Sequence, residues 1–522
     1  MKATTVTDTA AVREAATLAM PEGTIDTSKW LHHKNLRTLN FLLLFPLLSI
    51  FTLGFDGSMM NGLQAVEGWR SYFGEPKGAT LGLFNGAYPI GGLLAVPFIS
   101  TISDRFGRRA GIVTGALVCC LGAALQGGAQ NLPMFVVSRG IIGAGSVLIN
   151  ASGAPLIAEI AHPKQRTTAT ALFQTSYALG SIIAAWTTFG TFRINSSASW
   201  RIPSALQALP SVIQLCGIFF VPESPRWLIS RGRDDDALQM MAKYHAEGDQ
   251  HDPLVQWEFL EIRSTLAAEK NANRNALSTY LDFLRTRGNR LRFFILIWCA
   301  CISQMSGNAF ISYYLSPILT SVGLTTSLQQ TLINATSQML SWFSALYFAT
   351  LPAKVGRRKL FLASLICVFI CLIAITTGSA IFAENPTNKA AGYAVVVFLY
   401  LFSPAYNLGL NGNLGLYITE ILPFHLRLPG MAVFQFWTLG FIALSTFAIP
   451  VGLQNMGWHF YTIFIAWVVV EFGVVWWLYP ETKGPSLEEI ALIFDGPSEA
   501  FDLTKGEDGL EKGPIAETRE RM

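Results

Sequence analysis

The chain has 522 residues, of which 51% are hydrophobic and only 14% charged, with a net charge of +3. Soluble domains carry about a quarter charged residues, so an ordinary soluble protein is excluded, and the small net charge gives no footprint for nucleic acid. All seven cysteines, Cys119, Cys120, Cys216, Cys299, Cys301, Cys367 and Cys371, fall inside apolar runs, which reads as packing rather than a disulfide or metal framework.

In chain order, residues 1–39 form a polar tail with no signal-peptide pattern. Twelve apolar runs follow, at about 40–61, 80–102, 110–128, 133–156, 168–190, 203–221, 292–316, 328–351, 360–382, 391–418, 430–452 and 458–479. Each approaches the length of about 20 residues that a helix needs to cross a bilayer, and none alternates as barrel strands do. The expected fold is therefore an all-α polytopic membrane protein. Its parts are a six-helix bundle over 40–221, a cytoplasmic linker over 222–291, a second bundle over 292–479 and a tail over 480–522. Helical periodicity in the linker marks 234–246 and 254–269. The 39 residues after Lys483 are rich in Glu, Gly and Lys and read as disordered.

The two halves carry the same marks. Asp104-Arg105-Phe106-Gly107-Arg108-Arg109 returns as Lys354-Val355-Gly356-Arg357-Arg358-Lys359, with Ala353 in place of the aspartate. Glu159 and Arg166 are seven apart, as are Glu420 and Arg427, and Gln174 and Gln435 each lie eight beyond that arginine. Parallel duplication of a six-helix unit explains this spacing. Ten Lys/Arg in the short breaks on one side against five on the other place both termini and the linker in the cytoplasm by the positive-inside rule. Asn195-Ser196-Ser197 then becomes an outer-loop glycosylation sequon, whereas the matches at Asn150 and Asn334 lie inside spans.

Polar residues inside the spans mark the candidate machinery. Asp56 stands in an otherwise uncharged span, where a carboxylate costs about 2.5–3.5 kcal/mol on insertion scales and calls for a partner. In span seven, Gln304, Asn308 and Ser312 recur every four residues and would share one face, followed by Tyr313 and Tyr314. Amides and aromatic rings are the groups that hold sugars. Gln338, Gln435 and Trp437 are further candidates from polarity and position. Glu471 is a lone acid in span twelve. No nucleophile–base pair, metal cluster or phosphate loop argues for an enzyme.

With these residues in hand, the chain resembles the sugar porters of the major facilitator superfamily over about residues 40–490. The motifs that carry the resemblance are Gly54-Phe55-Asp56, the Asp104–Arg109 element, Arg139-Gly140-Ile141-Ile142-Gly143-Ala144-Gly145 and the Glu159/Arg166 pair. Pro222-Glu223-Ser224-Pro225-Arg226-Trp227-Leu228 and Pro480-Glu481-Thr482-Lys483-Gly484 complete the set. Gly180–Trp186 and Ser199–Pro203 look most like the fungal lactose-permease and oligosaccharide branch.

The resemblance implies a twelve-helix, two-bundle carrier working by alternating access. It would bind sugar and protons in the lipid bilayer of the plasma membrane, act as a monomer and need no cofactor beyond the proton gradient. It implies Asp56 as proton carrier and Arg139 as its controlling cation; a static pair or a passive facilitator keeps the same residues. Gln174 matches the family's sugar-binding glutamine. Span seven departs from the family signature, with Ser303 for the first glutamine and Asn308 one place early, and Gly415 replaces the tryptophan of span ten. Both changes put a plain glucose site in question and suit a larger sugar of the lactose or cellobiose class, with a hexose, carried by symport or by a passive hexose facilitator, as the alternative. Asp104, Arg108, Arg109, Glu159, Arg166, Arg226, Arg357, Arg358, Glu420, Arg427 and Glu481 would form a cytoplasmic gate. A non-transporting sensor and export of a secondary metabolite are the other functions this family allows.

Overall fold

The computed structural model describes residues 21, 25–271, 276–484, 489–490 and 492–495. Among them every regular element is helical. The membrane helices are α1 Leu44–Ala65, α2 Gly78–Phe106, α3 Arg108–Gly127, α4 Leu132–Ile160, α5 Arg166–Thr191 and α6, built from Ala198–Leu206 and Ala208–Gly217. The second half repeats them as α7 (Arg287–Met305 and Asn308–Ser321), α8 Ser327–Phe348, α9 Arg357–Glu384, α10 (Lys389–Gly409 and Asn413–Ile421), α11 Phe424–Met456 and α12 Tyr461–Leu478. Local chemistry sets the starts: at α4, Asn131 caps the helix through Oδ1, which accepts from the Met134 N–H at 3.0 Å, with Pro133 in the first turn.

Eight segments of the described chain are long and apolar enough to cross a membrane on length and composition, one of them joining α11 and α12. The helices that fall short are α5, α6 and α8. Their polarity has a physical source: α5 and α8 pack against each other between the halves, and α6 sends Gln207 and Gln214 to α1, where they bond Asp56 and Ser49. A polar face is tolerated where a helix meets protein or water instead of lipid.

The duplication is visible in the turn geometry. Gly107 and Gly356 take φ of +102° and +106°, a conformation that favours glycine. In the first half Glu223 accepts from the Arg108 and Arg109 N–H groups at 3.1 and 3.2 Å. In the second, Glu481 accepts from the Arg357 N–H at 2.8 Å. Each carboxylate thus caps the N-terminus of the third helix of its half, where the helix dipole favours negative charge. A Cβ on Gly107 would come within 2.4 Å of Glu223 Oε2, and one on Gly356 within 2.7 Å of Glu481 Oε2. Glycine is required there both for the turn and to admit the cap.

The linker holds helices at Asp234–His245 and Pro253–Asn271, packed under the first bundle through Met240, Met241, Tyr244 and Val255, and one at Ala276–Arg285, which packs against α7 and α11 of the second bundle with Phe283 buried. The expectation of a disordered tail directly after Lys483 is corrected for its beginning. Asp495 makes two 2.7 Å contacts with the buried Arg292 guanidinium at the base of α7, because a buried arginine demands a carboxylate partner. The remainder of the tail, 496–522, and residues 1–20 lie outside the described residues.

Named cross-half contacts gather at the end opposite the linker. Gln64 of α1 donates to the Tyr313 carbonyl at 2.9 Å, and Asn61 donates to Asn334 of α8 at 3.3 Å. Gly82 and Gly86 of α2 lie against Phe447 of α11, so closely that a Cβ on Gly86 would fall 2.3 Å from the ring.

Candidate functional site

Asp56 and Arg139 meet at the heart of the first bundle, each 1% exposed. The guanidinium is bidentate, Nη1 to Oδ1 at 2.8 Å and Nη2 to Oδ2 at 3.0 Å, the fork geometry that makes arginine–carboxylate pairs strong and directional. Gln207, at the junction of the two segments of α6, donates Nε2 to Asp56 Oδ1 at 2.6 Å. Tyr88 of α2 lies 5.6 Å beneath the guanidinium carbon. A buried ion pair is a weak source of stability but expensive to break by removing one partner. Any motion that parts α1 from α4 therefore carries a large electrostatic consequence.

The residues of span seven are brought together, but differently from the expectation of one continuous face. The helix is interrupted at Ser306-Gly307, where Gly307 takes φ of +99°, and Tyr314 leaves helical geometry at φ −131°. A four-residue repeat cannot run through such a break. One hydrogen bond bridges it, from Asn308 Nδ2 to the Ser303 carbonyl at 3.3 Å; before the break Gln304 Nε2 donates to Ser303 Oγ at 3.2 Å, and after it Ser312 Oγ donates to Asn308 Oδ1 at 3.1 Å. Tyr314 is fully buried and points its hydroxyl to the Thr446 carbonyl of α11. It is a tether within the second bundle.

A cavity of about 30 Å³ lies between the halves, lined in part by Asn61, Ser312, Ser337, Gln338 and Tyr400. That is room for a water or two, not for a sugar ring. Gln304, Asn308 and Tyr313 adjoin it along α7 without lining it. Gln174, Gln435 and Trp437 are exposed. For amides partway along membrane helices, exposure calls for a water-filled gap between the halves rather than lipid. In α10, Asn407 donates to Ser341 and Ser344 of α8 and Asn411 donates to Asn407. A Cβ on Gly412 or Gly415 would meet nothing within 4 Å, so the segment that lacks the tryptophan is open.

The charge network at the linker end forms within each half. Arg108 pairs with Asp104 at 2.7 Å and with Glu159 at 3.4 Å; Arg357 pairs with Glu420 at 2.6 Å. Arg109 donates to the Phe219 carbonyl at 2.9 Å, Arg358 to that of Trp476, and Arg427 to that of Leu422 at 3.2 Å. Arg226 lies on the short helix Pro225–Ser230. Arg166 reaches Glu258 of the linker at 3.3 Å, and Glu258 holds His245 Nδ1 at 2.7 Å. The His162 ring packs 5.3 Å from that of His245, and its pKa is lowered to about 3 by burial and by the neighbouring His245. Asn195 is exposed at the end opposite the linker.

Gln207, Gln64, Asn61 and Tyr400 were not singled out from the sequence. The available signal for Gln207 was the set Gln207, Ser211, Gln214, which recurs at i, i+4, i+7 on one face of an apolar span. Glu471 is fully buried, and neither carboxyl oxygen finds a hydrogen-bond partner among the described residues.

Two six-helix halves about a polar gap, with an acid–arginine pair buried beside it, define a membrane carrier. A family profile described as "Sugar (and other) transporter" matches residues 42–494, and the chain belongs to that family. It is 30% identical over 467 residues to High-affinity glucose transporter 1 of Candida albicans, covering 85% of this chain and 83% of that one. It is 28% identical over 450 residues to the MFS-type transporter criB of Aspergillus cristatus, covering 86% and 91%. Among solved structures, the inward-open conformation of the xylose transporter XylE from E. coli superposes with a TM-score of 0.70 at 18% identity, covering 87% of this chain and 100% of that one. At that identity the likeness establishes the major facilitator fold. The protein is an integral multi-pass carrier, and its relatives are transporters, not enzymes.

Proposed function

We propose that this protein is a secondary active sugar porter that moves a sugar together with a proton by alternating access. The observation that carries the reading is the buried, bidentate Asp56–Arg139 pair. Opening the gap on one side or the other moves α1 relative to α4, and with it the balance between a carboxylate held by arginine and a neutral acid. Helix α7 links this to the ligand: the Tyr313 carbonyl is held by Gln64 of α1, two turns from Asp56. A relative of the same fold is described as a proton:xylose symporter, which supports the same reading.

The sugar is of the lactose or cellobiose class, supported by the open α10 segment at Gly412–Gly415 and the displaced Asn308. Both termini and the linker face the cytoplasm, the membrane is the plasma membrane, and the working unit is a monomer driven by the proton gradient without a cofactor. The charge networks at Arg108 and Arg357 act as the cytoplasmic gate. Each pair is worth little alone, but pairs whose partners change between states bias the equilibrium between them.

The test is uptake of labelled glucose, xylose, lactose and cellobiose at two pH values in a transporter-deficient host, with Asp56→Asn beside the wild type. Uphill accumulation should vanish in the variant while exchange down a gradient persists. Undiminished accumulation by Asp56→Asn removes the coupling reading.

A further inference from the structure

The three contacts on Asp56 all come from donors: two guanidinium N–H groups and the Gln207 amide N–H. That arrangement suits a carboxylate. Once Asp56 takes up a proton it becomes a donor itself, and Arg139, whose guanidinium has no acceptor, offers nothing for the new O–H. The other titratable groups facing Asp56 are Tyr88 of α2, Cys119 of α3, Tyr177 of α5 and Tyr313 of α7. None of these bonds to it among the described residues. Gln207 differs. Its Oε1 is buried and has no partner among the described residues, in a side chain that is 1% exposed. Ser211, one turn further along the same face, has a buried hydroxyl beside the Cys119 thiol of α3. The terminal torsion of glutamine is broad and two-fold, so turning the amide over exchanges donor for acceptor at nearly the same position.

We infer that Gln207 is a positioning residue that serves both protonation states of Asp56. With the carboxylate, Nε2 donates to Oδ1. After Oδ1 binds a proton, the amide turns over, Oε1 accepts from the acid O–H, and Nε2 swings toward the Ser211 side of the seam. One N–H···O bond is exchanged for one O–H···O bond, and no other group is consumed. The device makes the site switchable, where arginine alone would hold Asp56 as the anion. This inference rests on proton coupling at Asp56.

Infrared difference spectra of the purified protein, acid minus neutral, provide the test. A glutamine amide carbonyl band should move on acidification, and it should be lost in both Gln207→Met and Asp56→Asn. In proteoliposomes, Gln207→Met should lower proton-driven uptake at least fivefold. The midpoint of its pH profile should stay within about half a unit, because each protonation state loses one hydrogen bond of similar worth. An alkaline shift of a unit or more would mean that Gln207 serves the carboxylate alone, and it overturns the inference. So does a wild-type spectrum without an amide band sensitive to Asp56, which needs no Gln207 variant to fold. If Asp56→Asn still accumulates sugar uphill, the coupling reading itself fails. If it uncouples while Gln207→Met shows the alkaline shift, only the role of Gln207 is lost.

Discussion

Replacing Arg139 with leucine tests how the first bundle holds its buried acid. In the wild type, Asp56 receives two guanidinium contacts and one amide contact, at 2.8, 3.0 and 2.6 Å. Arg139→Leu leaves the amide alone in a site that is 1% exposed. Removing one member of a buried pair costs about 3–5 kcal/mol, whereas replacing both with neutral groups of similar volume is often nearly neutral. Arg139→Leu should therefore lose about 3–5 kcal/mol of unfolding free energy in a detergent titration. Asp56→Asn should lose less, because asparagine keeps an acceptor for the guanidinium. The double variant should be more stable than the sum of the two losses by about 2 kcal/mol or more. Independent sites add to within about 0.5 kcal/mol, so additivity at that level would refute the view that the pair is a single electrostatic unit.

Other expectations follow from the same structure. His162 is folded with its pKa lowered to about 3, below the unfolded value of about 6.5. Its contribution is thus complete above pH 6.5 and is lost as pH falls from there toward 3, at up to about 1.4 kcal/mol per pH unit. Protection factors in the linker helix Asp234–His245, corrected for the intrinsic pH dependence of exchange, should fall between pH 6.5 and 5, and His162→Phe should flatten that dependence; equal protection across the range would contradict it. Gly54→Ala places a Cβ 1.9 Å from the Tyr177 carbonyl, which α1 and α5 can relieve only by separating. Overpacking of this kind costs about 1–3 kcal/mol, so a clear fall in melting temperature is expected, and an unchanged value would show that the helices are less closely packed. Asp495→Ala strips the buried Arg292 of both 2.7 Å contacts and should destabilise the second bundle as much as truncation before residue 489. A variant as stable as the wild type would show that the tail does not brace α7.

The twelve spans were legible because uncharged runs of membrane length leave few alternatives, and the duplication because Gly107 and Gly356 need the same unusual turn. Asp56 was legible as an acid out of place, and the arginine-rich turns by their repeat. Three features escaped for physical reasons. Gln207 is an uncharged amide in a chain with many, and what distinguishes it is a neighbour 151 positions away. The break at Gly307 depends on a backbone state that glycine permits but does not announce. The bracing of Arg292 by Asp495 spans 203 positions, and no local pattern encodes a contact of that range.

Proton movement recorded alongside sugar movement is the most direct measurement. Purified protein in tightly sealed vesicles, with no membrane potential and a pH dye in a weakly buffered exterior, should alkalinise the outside when lactose or cellobiose is added. The initial rate should follow sugar uptake and be abolished by Asp56→Asn. Saturable sugar entry without any pH change would contradict coupling, and no saturable flux of any sugar in either direction would contradict the transport function itself.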